Sequence, residues 1–102
     1  MADNDLILLE DARDAVFALE KAYRKAVIND DLDAMMEIEE PLAEAENSLS
    51  QARLKLLQAG QLTSNADVAE MRRICGEMDQ AADTQQLIEG AAKLVAMVAR
   101  FI

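Results

Sequence analysis

Apolar residues recur along this chain every three or four positions rather than every second one. From Leu9, the positions Leu9, Ala12, Val16, Leu19, Tyr23 and Ala26 step alternately by three and four, which lays them along one stripe of a helix. The spacing predicts a first helix over about 5–28. Asn29, Asp30 and Asp31 then offer side-chain oxygens to the unpaired amides of a second helix starting near Leu32. So short a connection makes the two helices antiparallel neighbours. The second helix repeats the alternation through Met35, Ile38, Leu42, Ala45, Leu49, Ala52, Leu56 and Ala59.

Pro41 falls inside that second stripe. A prolyl ring has no amide hydrogen and crowds the carbonyl four residues back, so a kink or break is expected near Glu39 to Pro41, with Pro41 suited to open a new segment. Gly60 is placed to end the helix in a left-handed conformation, and Thr63, Ser64 and Asn65 offer the next caps. Beyond Ala66 one stripe contains Met71, Ile74, Met78 and Ala81, and another Leu87, Ala91, Leu94, Val98 and Phe101. They do not join smoothly across the polar run from Asp79 to Gln86, where Asp83 and Gln86 have the spacing of a capping box. A break there gives four helices; without it the third is a rod of roughly 50 Å at 1.5 Å per residue. The expected fold is all-α, an antiparallel bundle of three to four helices over about 5–28, 32–59 kinked at Pro41, 66–82 and 84–101, forming a single domain over 1–102.

Composition agrees, with 52% hydrophobic residues, 3% aromatic and one Pro in 102 residues. Nineteen alanines make the core thin, since each removes little area from water, and association with a second copy would help it. The last helix carries apolar residues on nearly every side. It is expected to be central in the bundle or shared between two chains, and self-association as a homodimer is expected through Leu87, Ala91, Leu94, Val95, Val98, Phe101 and Ile102. The methionines Met35, Met36, Met71, Met78 and Met97 read as buried gap-fillers.

Charge is divided unevenly. The first fifty residues hold fourteen acids and four bases, so the whole net charge of −10 lies there. Between Lys25 and Arg53 there are eight acids and no base. Asp33, Glu37, Glu40 and Glu44 share one helical face and form the candidate surface for a basic protein partner. The segment Glu37, Glu39, Glu40, Glu44, Glu46 also resembles the acidic helix of MazG-type nucleotide pyrophosphohydrolases, small all-α enzymes. That resemblance implies magnesium ligands in a Glu-Glu-x-x-Glu pattern followed by a later Glu-x-x-Asp. Here the third acid comes one position late, Pro41 lies inside the pattern, and Glu77 and Asp79 are spaced by two rather than three.

Other chemistry is poorly supplied. There is no histidine and one cysteine, so no Cys/His zinc set and no imidazole base can be assembled, and neither catalytic residues nor a metal or cofactor is expected. Cys75 on an apolar stripe reads as a small core residue. Arg13, Lys21, Arg24 and Lys25 read as partners in pairs such as Glu20 with Arg24. A chain at −10 without aromatic stacking groups is not expected to bind nucleic acid directly, although its acids suit imitation of nucleic acid in a basic groove. No apolar run approaches the ~20 residues that span a bilayer, and a cytoplasmic setting is expected. The reading is a small acidic, non-enzymatic helical module for protein–protein interaction.

Overall fold

A computed structural model describes residues 3–59 and 63–102. They form four helices: α1 (Asp3–Ile28), α2 (Leu32–Ala59), α3 (Asn65–Asp79) and α4 (Thr84–Ala99). Local sequence accounts for each junction. At the end of α1, Asp30 takes a left-handed φ of 52°, its amide bonds Val27 O and the Asp31 amide bonds Ala26 O. This is a Schellman motif with Asp in the place usually held by Gly. Asp31 then begins α2, its carboxylate accepting from the Ala34 amide at 3.1 Å, so two adjacent aspartates turn the chain. Ser64 and Asp67 form a complete capping box on α3. Asp83 caps α4 by accepting from the Gln86 amide at 2.8 Å, while Gln86 Oε1 reaches past the expected partner to the Ala82 amide.

Of the two alternatives for the C-terminal half, the structure has the break, with α3 ending at Asp79 rather than near 82. Pro41 breaks nothing, since α2 runs through it as one helix of 28 residues. One missing amide bond is outweighed by the apolar stripe buried on both sides of it, from Ile38 to Leu56. The expected cap at Gly60 lies outside the described residues.

Helix α1 packs on α2 and α3, α4 packs on α2 and α3, and α1 also touches α4 across the diagonal. The core is built largely from the predicted stripes, with Ala12, Leu19, Ile38, Ala45, Ala52, Leu56, Met71, Ile74 and Leu94 each at most 2% exposed. Near the start of α1, however, it is Leu8, not the expected Leu9, that is fully buried, and Leu9 is half-buried. At about 25 cal/mol per Å², the alanines contribute little and the Leu, Ile and Met side chains most of the burial energy. Small residues set the spacing instead. Gly90 of α4 lies directly on Met78 of α3.

One end of the bundle is pinned by polar groups. Asp5, fully buried in the first turn of α1, accepts from the Thr63 amide at 3.0 Å, and Asn4 Nδ2 donates to Asn65 Oδ1 at 2.9 Å. The start of α3 is thus tied to the start of α1. From there α3 runs parallel to α1, with Arg72 and Cys75 beside Asp11 and Met78 beside Ala18 and Ala22. At 1.5 Å per residue α1 and α2 are roughly 40 Å long and α3 and α4 roughly 23 Å. The tip of the α1–α2 hairpin therefore extends past the α3–α4 pair.

Candidate functional site

The four acids Asp33, Glu37, Glu40 and Glu44 are all exposed on α2. Their steps of four, three and four keep them on one stripe, about 140° round the helix from Glu46, Ser50 and Arg53 at 100° per residue. Glu39 and Glu46 lie on that second side, toward α1. The acids resembling a pyrophosphohydrolase motif are therefore divided between two sides of the helix. Among the described residues, no group of three or more His, Cys, Asp or Glu is arranged to hold a metal ion.

Among the described residues no cation forms an ion pair with the acidic stripe. Among the described residues the ion pairs all involve α3: Arg72 with Asp11, Lys93 with Glu77, and Arg100 with Asp67 and Glu70. Around the tip beside the stripe three large apolar side chains are exposed, Ile28 at 81%, Leu32 at 67% and Met36 at 73%. Met36 was expected inside with the other methionines. Met71, Met78 and Met97 are buried and Met35 half-buried, but Met36 lies about 160° from Ile38 and faces outward.

Helix α4 places its apolar residues differently from the sequence reading. Leu87, Ala91, Leu94, Val98 and Phe101 are buried against the chain's own helices. Val95 is half-buried on the same core and Ile102 half-exposed. The set expected to meet a second copy is thus largely consumed within one bundle. What made α4 look apolar all round was alanine, since Ala92, Ala96 and Ala99 occupy the exposed side with Lys93 and Arg100.

Exposed apolar bulk lies instead on the hairpin of α1 and α2. Of the nine large hydrophobic residues that are exposed among the described residues, all but Ile102 belong to these two helices. A shallow groove of about 520 Å³ runs between them, with Leu6, Leu9 and Arg13 on one bank and Leu49, Arg53 and Leu57 on the other. Glu20 and Glu46 meet across it. The Glu46 pKa is raised by desolvation against α1 and then by a hydrogen bond to, and the negative charge of, Glu20. The expected pairing of Glu20 with Arg24 is not among the ion pairs. Lys21 instead lies over the Phe17 ring, 5.2 Å from its centroid.

Cys75 is half-buried, its thiol donating to Asp11 O at 3.3 Å. Burial, then the charges of Asp79, Asp11 and Asp14, push its pKa up to about 11, which keeps it a thiol and a poor nucleophile at neutral pH. Among the described residues no helix is long and apolar enough to cross a membrane. Comparison with protein-family models, with curated proteins and with solved structures found no match.

Proposed function

We propose that this protein is a small helical interaction module that works by binding another protein, with the outer side of α2 and the hairpin tip as its contact surface. The observation that carries this reading is the neighbouring placement of an exposed acidic stripe, without an ion pair among the described residues, and three large exposed apolar side chains, Ile28, Leu32 and Met36. A partner complementary to both is basic and amphipathic, presenting Lys or Arg to the stripe and apolar residues to the tip. Isolated exposed apolar residues are ordinary on protein surfaces, but an exposed apolar patch rimmed by polar groups is a common form of contact site. The acids supply attraction at a distance and the apolar tip the desolvation that holds the complex. A cytoplasmic setting belongs to the same proposal, because the single thiol calls for no oxidising compartment.

The test is the association rate of a lysine-rich amphipathic helical peptide with the whole chain at low and high salt. Reversing Glu37, Glu40 and Glu44 to Lys slows association by roughly tenfold or more at low salt and little at high salt, where the Debye length is only about 3 Å. Equal on-rates for wild type and variant at low salt would remove the acidic stripe from the account.

A further inference from the structure

The outer face of α1 is antisymmetric in charge: read from either end, its signs invert. Phe17, 46% exposed, stands at its centre. One step to either side along the same helical stripe are Arg13 and Glu20, and the next steps are Glu10 and Arg24. Leu6 and Val27 close the two ends, 46% and 45% exposed. The spacing alternates four and three throughout, the repeat that keeps a seam on one side of a helix facing a partner. Turning this stripe end for end about Phe17 puts each positive charge where a negative one stood and each apolar end on the other.

We propose that a second copy of this chain packs antiparallel on the outer face of α1, about a two-fold axis near Phe17. Arg13 then meets Glu20 of the partner subunit, and Glu10 meets the partner's Arg24. An isologous contact must be self-complementary, and this face is, in charge and in apolar position alike.

Two further observations support it. Glu10, Arg13 and Arg24 enter no ion pair among the described residues, so their charges are available. Across the groove the same banding continues, with Arg53 beside the Arg13 level and Glu46 beside the Glu20 level. The acid pair Glu20 and Glu46, which disfavours itself within one chain, gains arginine neighbours from the second copy. The proposed partner-binding stripe of α2 points away from this face and stays open in the dimer, so the inference goes beyond the binding reading without depending on it.

Sedimentation equilibrium of the whole chain gives the answer, with helical content checked by circular dichroism for each variant. The expected mass is twice the 11.2 kDa of the chain. Arg13→Glu and Glu20→Arg each weaken dimerisation by about tenfold or more, and the double variant recovers most of the loss because the pair re-forms with its signs exchanged. Phe17→Glu, which loses an apolar centre and adds two like charges at the axis, gives monomer. A mass of 11.2 kDa at concentrations approaching about 1 mM overturns the proposal. So does a dimer indifferent to Arg13→Glu and Phe17→Glu. Peptide binding by a chain found to be monomeric would leave the acidic-stripe reading intact while this one fell.

Discussion

Gly90 and Met78 pack so closely that a Cβ built on Gly90 would lie 2.5 Å from Met78 Cγ. That contact sets how near α4 comes to α3. Gly76, one helix earlier, has nothing within 4 Å of its Cβ position. The two glycines therefore predict opposite outcomes for the same substitution. Gly76→Ala stabilises by about 0.5–1 kcal/mol through helix propensity alone. Gly90→Ala loses about 1–2 kcal/mol net, because displacing Met78 from a packed core costs more than propensity returns. Urea denaturation of the two variants settles both, and a stabilised Gly90→Ala would show that Met78 yields freely.

Asp30 holds a left-handed φ of 52° at the Schellman turn. A side chain in that region is strained by roughly 1 kcal/mol, which glycine avoids. Asp30→Gly is expected to raise the unfolding free energy by about 0.5–1 kcal/mol, net of the greater freedom of glycine in the unfolded chain. A fall in stability would mean that the Asp30 carboxylate makes a contribution larger than its strain.

Pro41 is the tenth residue of a continuous α2 and denies the Glu37 carbonyl its amide. Pro41→Ala restores that bond and is expected to stabilise by about 1–2 kcal/mol after the loss of proline's rigidity in the unfolded chain. Thermal unfolding of the variant reads it directly; an unchanged or lower midpoint would show that the proline shapes α2 for its packing.

Cys75, with a pKa raised to about 11, is deprotonated more easily unfolded than folded. Between about 9 and 11 the unfolded chain has lost this proton while the folded chain keeps it, so stability falls as pH rises through that window and this contribution is absent below it. At pH 8 alkylation of the native thiol should be slower than that of an exposed cysteine by on the order of 100-fold. Cys75→Ala removes this thiol's part of the alkaline slope. Rapid alkylation of the folded protein would contradict the burial and charge described for this site.

Much of the fold is legible in the sequence because the core repeats. Ile38, Ala45 and Ala52 recur every seven residues, as do Leu42, Leu49 and Leu56, and no partner information is needed to see that they share a side. The break before α4 was visible in Asp83 and Gln86, since caps are local. The link between Asp5 and Thr63 was not, because 58 residues separate a carboxylate from an amide that only the tertiary fold brings together. Nor does periodicity say which neighbours a helix will have. Leu94 and Phe101 looked free for a second copy, and the chain's own helices cover them. Conversely Leu6, Phe17 and Val27 were masked by the charges between them, so the exposed stripe of α1 emerges only once α3 and α2 are seen to occupy its other sides. The acids of α2 were found where expected, as exposure of a charge run follows from solvation alone.

Binding by the acidic stripe of α2 and the adjoining tip can be read residue by residue from the backbone amide shifts of the whole labelled chain while a lysine-rich amphipathic helical peptide is added at low salt. Saturable shifts concentrated at Ile28, Leu32, Asp33, Met36, Glu37, Glu40 and Glu44, weakening as salt is raised, are the predicted result. Saturable shifts centred on α3 and α4, or no shifts at low salt, would contradict it.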